Sequence, residues 1–320
     1  MKNYQAKSPI LLLIFNRPDT TQAVFEEIKA AKPPRLYIAA DGPRKDKAGE
    51  EDLCQQAINT VSNIDWECEV KTLFRTENMG CKEAVSSAIT WFFNHEEEGI
   101  ILEDDCLPAK SFFYYCDTLL EKYRDDTRVR HISGCNSHFG VKWGDASIFF
   151  ENRTEVWGWA SWRRVWKDYD KDLKNYTEHD IRTELGKIFS DPIIVESWVG
   201  AFNDVKSGKI DTWDYQLAII NYLNSAICIS PNANLISNIG YRADATHSVN
   251  PNDKSANIPL EEIGEITYPK FMVVDKKADY AIFNREYKLD EYWKKHNLPR
   301  KQLKRLIKSE FKRIISGLKH

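Results

Sequence analysis

One short segment, an apolar run that ends in three consecutive acids, most constrains how this chain folds. Ile100–Leu102 is followed directly by Glu103, Asp104 and Asp105, and Pro108 closes the segment. The apolar run predicts a buried strand, so the acids lie at the mouth of that strand. Adjacent carboxylates repel one another and resist ionisation unless a cation or several donors lie beside them. We therefore expect a divalent metal that also binds a phosphate-bearing ligand; the alternative is a solvated acidic turn.

Strand-like and helix-like patterns alternate through the first half of the chain. Predicted strands cover 9–15, 35–40, 68–74, the apolar run before the acids, and 129–133, and predicted helices begin near 19 or 20 and cover 50–61, 82–93 and 111–122. This alternation predicts an α/β fold with a mostly parallel sheet and helices on both faces.

Polar residues follow several of these predicted strands. Arg17, Asp41, Asn78 and the acids 103–105 each fall just past a strand end. Ligands of such sheets bind beyond the carboxyl ends of the strands, so we expect these side chains to converge on one crevice. The chain has no GxGxxG after the first strand and no GxxxxGK[ST], which disfavours dinucleotide oxidoreductases and P-loop NTPases.

A group of five tryptophans marks the start of the second half. Trp159, Trp162 and Trp166 have helical spacing, which predicts a buried helix face and accounts for Trp162 and Trp166. Trp157, Gly158 and Trp159 have a second interpretation as a ligand loop, because glycine permits close backbone approach and indole faces suit sugar rings.

Two further polar residues are candidates for the site. Asp214 precedes the apolar stretch 217–223 and would begin a helix, where the positive helix end stabilises a carboxylate. It is either a reactive carboxylate or a simple helix cap. His247 lies in a predicted loop and reaches a metal only if that loop folds back to the acids; otherwise it is solvated.

Composition sets the broad class of protein. The 320 residues are 42% hydrophobic and 29% charged, which is ordinary for a globular protein. No early apolar run is long enough to span a bilayer or to act as a signal peptide, so we expect a cytoplasmic protein. The seven cysteines include no CxxC pair, which favours reduced thiols over a disulfide frame or a zinc site.

The formal net charge of −3 hides a basic tail. Residues 294–320 carry ten Lys and Arg and one Glu, and their apolar residues repeat with helical spacing. This predicts a basic amphipathic helix that either binds an anionic membrane surface or packs on the domain with its basic face solvated. Nucleic acid is not an expected partner, because the rest of the chain is acidic.

An ordered set of short motifs carries a resemblance to a known family. The motifs are Phe-Asn-Arg-Pro at 15–18, Ala-Asp-Gly-Pro-Arg at 40–44, Asn-Met-Gly-Cys at 78–81, Glu-Asp-Asp at 103–105, Trp-Gly-Trp at 157–159, Trp-Asp-Tyr at 213–215 and Thr-His at 246–247. Over roughly residues 8–250 the chain resembles the GT-A-fold nucleotide-sugar glycosyltransferases. Within that fold it is similar to N-acetylglucosaminyltransferase I and to bacterial sugar transferases of the same pattern.

The resemblance implies a role for each residue of the first half. Arg17 would contact the nucleotide, and Asp41 would bind its base or ribose. Asp105 would coordinate Mn²⁺ or Mg²⁺. Asp104 would bind the ribose or a metal-bound water, and Glu103 would reach the donor sugar.

The second half would supply the remaining parts of the site. The resemblance implies that Asp214 is the general base, that His247 contacts the metal or the diphosphate, and that 157–159 form a donor and acceptor loop. It also implies a GT-A domain over 1–250, with a donor half to about 136 and an acceptor half from 137. We expect a connecting segment over 251–293, packed on this domain, and the basic helical tail over 294–320.

These expectations combine into a function. The chain would be a metal-dependent, inverting glycosyltransferase that moves a sugar from a nucleoside diphosphate sugar, most simply a UDP-sugar, to a hydroxyl of a glycan or lipid-linked acceptor in bacterial surface polysaccharide synthesis. The tail would hold it at the inner face of the membrane. One alternative is a sugar nucleotidyltransferase, although such enzymes usually carry a glycine-rich basic loop after the first strand. A non-catalytic carbohydrate-binding protein is the other, although the set of acids argues against it.

Overall fold

The computed structural model describes residues 4–242, 250 and 253–296. The described strands are β1 (Ile10–Ile14), β2 (Arg35–Ala40), β3 (Glu69–Phe74), β4 (Glu98–Glu103), β5 (Cys106–Pro108), β6 (Val129–Ser133), β7 (Ile148–Glu151), β8 (Trp159–Trp162), β9 (Ile227–Pro231) and β10 (Ile236–Asn238). The described helices are α1 (Pro18–Ala31), α2 (Glu50–Thr60), α3 (Cys81–His95), α4 (Phe112–Tyr123), α5 (Arg163–Trp166), α6 (Glu178–Ile188), α7 (Pro192–Lys206), α8 (Asp214–Leu223), α9 (Lys276–Tyr287) and α10 (Leu289–His296).

Eight of these strands form one mixed sheet in the order β3-β2-β1-β4-β8-β6-β9-β7. The first four are parallel to one another, and β6 is parallel to β9. Strand β8 runs antiparallel to both β4 and β6, and β7 is antiparallel to β9. The other two strands, β5 and β10, form a small antiparallel sheet of their own. The predicted α/β class with a mostly parallel sheet is confirmed.

Helices cover both faces of the sheet, as the alternation along β1 makes clear. Ile10, Leu12 and Ile14 belong to a core that also contains buried residues of α1, α2 and α4. Leu11 and Leu13 belong to a second core on the other face, which α3 covers. Strands buried on both faces are apolar throughout rather than alternating, which is why these segments stood out in the sequence.

A third core lies among the helices of the second half. Helices α6, α7 and α8 pack together, and α9 and α10 add Phe283 and Leu289 to the same cluster. The segment that follows residue 275 therefore packs on these helices. Among the described residues, no helix is both long enough and apolar enough to cross a membrane. The predicted basic helix over 294–320 lies almost entirely outside the described residues.

The prediction that Trp159, Trp162 and Trp166 share one helix face is wrong. Trp159 and Trp162 lie in β8, and only Trp166 lies in the short helix that follows. Strand β8 fills the space between β4 and β6, where its backbone groups pair with both neighbours. The two strand tryptophans therefore pack in cores on opposite faces of the sheet.

A buried carboxyl holds the start of α9 against the end of β7. Asp279 is 5% exposed, and its carboxyl oxygens accept hydrogen bonds from the backbone N–H and the side-chain amide of Asn152, at 2.9 and 2.6 Å. Burial raises the pKa of Asp279 to about 6. A raised pKa means that the folded state favours the protonated carboxyl, so the contribution is fully present below pH 4 and is lost as the pH rises through about 6.

We expect Asp279→Asn to remove this pH dependence. Between pH 4 and 7 the parent should lose on the order of 2 kcal/mol of unfolding free energy relative to the variant. Urea unfolding of both proteins at several pH values measures the difference, in which the other titrating groups cancel. Parallel stability curves for the two proteins over this range would contradict the assignment.

Candidate active site

The three acids lie where the sequence predicts, at the carboxyl end of β4 beside β1. Asp104 is buried, and its Oδ2 accepts a hydrogen bond from the backbone N–H of Phe15, just past β1, at 3.1 Å. Arg17, the residue before α1, places its Nη1 2.8 Å from Oδ2 of Asp105. Both side chains of this ion pair are 15% exposed. The predicted convergence of the first strand end with the acids is therefore present.

The electrostatics of the acids follow from their crowding. The pKa of Glu103 is raised well above its usual range, first by burial and then by Asp105, Asp104 and Asp214. Burial and the nearby Asp105 likewise raise the pKa of Asp104 to about 7. Arg17 offsets part of the repulsion at both positions. Arg242 adds a weaker positive field at Asp104. Three crowded carboxyls still favour a further positive charge.

Asp41 and Asn78 contact each other at the ends of β2 and β3. Asp41 accepts hydrogen bonds from the side-chain amide of Asn78 at 2.9 Å and from the backbone N–H groups of Gly42 and Met79, both at 3.0 Å. Burial raises the pKa of Asp41 although the backbone N–H groups of Met79 and Gly42 lower it. The carboxylate ties two strand ends together, and the nucleotide contact that the resemblance implies for it stays a prediction.

Four carboxylates from three separate segments lie near one thiol at the start of α3. Burial raises the pKa of Cys81, and Glu103, Asp211, Asp214 and Asp41 raise it further, in that order. Glu103 ends β4, Asp41 follows β2, and Asp211 and Asp214 lie just before and at the start of α8. Asp214 begins α8 as predicted, and the structure brings it to the acidic end of β4 rather than leaving it on a remote helix.

A stack of aromatic rings supports the residue before Asp214. Trp159 is 1% exposed, and its ring stacks between those of His131 and Trp213, with centroids 5.1 and 5.9 Å away. Burial lowers the pKa of His131 to about 4, so its ring is neutral in this stack. The interpretation of Trp159 as a donor-contacting residue does not match this position. Its ring packs in the core and supports Trp213.

Gly158 also has a packing role rather than the predicted ligand-facing one. It is buried at φ +57°, and a Cβ on it would lie 2.3 Å from Cδ1 of Ile236 and 3.2 Å from Cδ2 of Leu102. The close approach that requires glycine is therefore to the core under the acids. A larger residue would force the Ile236 side chain to shift.

Trp157 does lie at the predicted edge of the sheet. Because β8 is antiparallel to β4, with Trp159 opposite Ile101, the residues just before β8 emerge at the carboxyl end of β4. The Trp157 ring is half-buried and meets the ring of Tyr241 edge to face, with centroids 5.9 Å apart.

The segment around Gly240 completes the site, and sequence reasoning missed its role. Strand β5 directly follows the acids and pairs with β10, which brings residues 239–242 onto Asp105. The Ile239 N–H donates to the Asp105 carbonyl at 2.9 Å, and a Cβ on Gly240 would lie 2.1 Å from Oδ2 of Asp105. Gly240 stands out in the sequence as a glycine in a short polar segment. No local pattern, however, connects it with Asp105, which lies far away along the chain. The predicted His247 lies outside the described residues.

The divalent cation expected beside these acids stays a prediction. Among residues 4–242, 250 and 253–296, no three His, Cys, Asp or Glu side chains are arranged as a ready metal-binding group. Mg²⁺ in nucleotide enzymes usually takes one or two carboxylates, with waters and substrate phosphates as the other ligands. Asp105 is the carboxylate that would hold the cation: its Oδ2 is paired with Arg17, and its Oδ1 lies 3.6 Å from the Cys106 thiol, a weak donor.

Comparisons with known proteins give no family assignment. No model of a known family and no curated protein matches the chain. The structure of UDP-glucose pyrophosphorylase complexed with UDP-glucose aligns at 9% identity and TM-score 0.38, over 70% of this chain and 90% of that one. The 4-diphosphocytidyl-2C-methyl-D-erythritol synthase of Anaerococcus prevotii aligns at 9% identity and TM-score 0.33, over 68% of this chain and 98% of that one. The inositol-1-phosphate CTP transferase of T. maritima aligns at 9% identity and TM-score 0.26, over 54% of this chain and 76% of that one.

At these identities and TM-scores the comparisons do not assign an activity to this chain. None of the three proteins is named as a glycosyltransferase. The similarity to N-acetylglucosaminyltransferase I therefore stays a prediction made from the sequence.

We expect Gly158→Ala to destabilise the fold through its contact with Ile236. Gly144→Ala is the matched control, because Gly144 also has a positive φ, +70°, and a Cβ there meets nothing within 4 Å. Overpacking should cost Gly158→Ala about 1–3 kcal/mol more than the control, measured by urea unfolding. Equal losses in the two variants would mean that residue 158 faces open space.

Proposed function

We propose that this protein is a metal-dependent glycosyltransferase that uses a nucleoside diphosphate sugar as donor. The observation that carries the proposal is the position of Asp214. This carboxylate from the second half lies close enough to the end of β4 to raise the pKa of Glu103. An acidic strand end with a separate facing carboxylate suits a reaction that needs both a cation for a leaving diphosphate and a base for an attacking hydroxyl.

Residues at the strand ends would bind the donor. Arg17 is the nearest cation to the acids and would contact the diphosphate once a cation competes for Asp105. Asp41 and Asn78 would lie under the base or the ribose, with Asp104 beside the ribose. Trp157, next to Tyr241, would offer an indole face to a sugar ring.

A bound Mn²⁺ or Mg²⁺, held by Asp105, would neutralise charge on the departing diphosphate. The chain's own residues would do the rest of the chemistry. Asp214 would accept the proton of the acceptor hydroxyl as that oxygen attacks the anomeric carbon, and Glu103 would hold the donor sugar. Attack from the side opposite the leaving diphosphate would invert the anomeric centre. The acceptor we propose is a hydroxyl of a glycan or of a lipid-linked glycan.

Sugar nucleotidyl transfer is the second candidate. Four arginines near this edge favour it, because a nucleoside triphosphate needs several cations: Arg17, Arg44, Arg75 and Arg242. Arg17, Arg44 and Arg242, however, each pair with a carboxylate of this chain. The nucleophile in that reaction is an ionised phosphate that needs no base, so Asp214 would have no role. The names of the compared structures also point to nucleotidyl transfer, but their TM-scores are too low to support either reaction for this chain.

The two reactions release different products. Glycosyl transfer releases a nucleoside diphosphate from a nucleotide sugar, whereas nucleotidyl transfer releases inorganic diphosphate from a nucleoside triphosphate and a sugar phosphate. Incubation with each substrate set and Mn²⁺, with both products assayed, therefore separates them. Release of neither product would favour a non-catalytic carbohydrate-binding protein.

We expect Asp214→Asn to abolish transfer and to spare donor binding. Loss of a general base should lower kcat by about 10²- to 10⁴-fold. The same substitution at Asp126 is the control, because this residue lies in the loop before β6, at the opposite edge of the sheet. Donor affinity measured by calorimetry should be equal in all three proteins. Normal turnover in Asp214→Asn would remove this residue from the base role.

We expect Asp105→Ala to remove the metal dependence of nucleotide binding. The substitution leaves Arg17 without its 2.8 Å partner, so binding without metal should not fall, while the gain in affinity from Mn²⁺ should disappear. Calorimetric titration of a nucleoside diphosphate with and without Mn²⁺ measures both quantities, and Asp125→Ala is the control. A metal effect of parental size in Asp105→Ala would place the cation elsewhere.

A further inference from the structure

Asp211 caps the first turn of α3 from a distant part of the chain. Its Oδ2 accepts a hydrogen bond from the Cys81 N–H at 2.9 Å, and its Oδ1 accepts one from the Lys82 N–H at 3.0 Å. The carboxylate and these amides are about 130 residues apart in sequence. Because the first four N–H groups of a helix lack partners within the helix, a carboxylate there gains both hydrogen bonds and a favourable position at the positive helix end.

The sequence of α3 itself leaves this position open for Asp211. Gly80 stands at the N-cap and has no side chain, so no side-chain capping bond forms there. Its φ is +79°, and a Cβ on it would lie 2.7 Å from Oδ2 of Asp211. Serine, threonine, asparagine or aspartate usually cap such a helix from the N-cap position itself. Here glycine both supports the turn and makes room for a carboxylate from elsewhere.

Further contacts hold the segment that joins Asp211 to Asp214. The buried Gln216 donates hydrogen bonds from Nε2 to the carbonyls of Thr212 and Lys171, at 2.7 and 3.0 Å. The Tyr169 hydroxyl donates to the Trp213 carbonyl at 3.0 Å. Gln216 and Tyr169, both from the second half, thus hold the residues that follow Asp211. Asp211 supplies the contact on the side of α3, three residues before Asp214.

We propose that Asp211 is a positioning residue that attaches the Asp214 segment to the start of α3 and so sets where the Asp214 carboxylate stands relative to Glu103. The proposal rests on the proposed function for its kinetic consequence. Cys81 donates its N–H to Asp211 and lies near both Glu103 and Asp214. If the segment 211–214 shifted relative to α3, the Asp214 carboxylate would therefore move relative to Glu103. A displacement of about 1 Å in a reacting group can cost about 10²-fold in rate.

Asp211→Ala is the first test. We expect kcat for sugar transfer to fall about 10²-fold while the donor KM stays unchanged, because Asp211 bonds the N–H groups of Cys81 and Lys82 and none of the side chains proposed to bind the donor. Asp211→Asn, which keeps one acceptor oxygen, should recover part of the rate. Asp275→Ala is the matched control, since Asp275 caps α9 through the N–H groups of Lys277 and Ala278 at 2.9 and 3.2 Å. An equal loss of kcat in this control would reduce Asp211 to an ordinary helix cap.

Gly80→Ala tests the same contact from the other side. The added Cβ should displace the Asp211 carboxylate and reproduce the kinetic effect of Asp211→Ala. Gly49→Ala is the control for backbone strain, because Gly49 stands at the N-cap of α2 with a φ of +78° and a Cβ there meets nothing within 4 Å. Parental kcat in Gly80→Ala, or the same loss in both glycine variants, would overturn the proposal.

Amide hydrogen exchange separates this proposal from the proposed function. In the parent, the N–H groups of Cys81 and Lys82 should exchange slowly, and in Asp211→Ala and Gly80→Ala they should exchange several-fold faster. If the parent transfers no sugar from any nucleotide sugar, the proposed function fails, while the exchange rates still decide whether Asp211 holds α3. Unchanged exchange in both variants would overturn the attachment whatever the activity.

Discussion

The direction of one strand, β8, determines most of what this protein brings together. It lies between β4 and β6 and runs against both, with Ile101 opposite Trp159. An antiparallel strand at this position delivers the residues that precede it to the carboxyl end of β4. Trp157 therefore emerges beside the acids, and Trp159, one step inside, carries the aromatic stack that supports Trp213. A parallel strand in the same place would have sent both residues to the opposite edge.

The charge at this edge is balanced in two different ways. Near Asp105 the acids are crowded, and Arg17 offsets part of their repulsion. At the start of α3 the charge of Asp211 is balanced by backbone N–H groups rather than by a side chain. The first arrangement favours an additional cation, whereas the second is complete within the protein. A ligand therefore has more to gain electrostatically beside β4 than at the start of α3.

The first half of the fold could be predicted from sequence because its signals are local. The strand before the acids is apolar throughout. Arg17, Asp41 and Asn78 each follow a strand that the sequence pattern predicts. The start of α8 at Asp214 was also local, since an acid precedes an apolar stretch. Contacts within one strand–helix unit can be predicted without knowing how the rest of the chain folds.

The second half could not be predicted in the same way, because its signals depend on distant partners. The helical spacing of Trp159 and Trp162 has no meaning once β8 pairs with two strands. Gly158 is required by Ile236 and Gly240 by Asp105, and Gly80 of the first half makes room for Asp211 of the second. Each of these glycines shows in sequence only that space is needed, and the residue that needs it is far along the chain. The structure supplies the partner in all three cases.

The pairing of β5 with β10 has a consequence for how the protein tolerates change in length. Cys106 pairs with Asn238, so the chain on the far side of the acids is held in register just before the segment that covers Asp105. Insertions after residue 242 would therefore leave this pairing in register. An insertion within 236–238 would break the pairing and move Gly240 away from Asp105. The length of the chain from 236 to 240 is thus fixed by the acids that it covers.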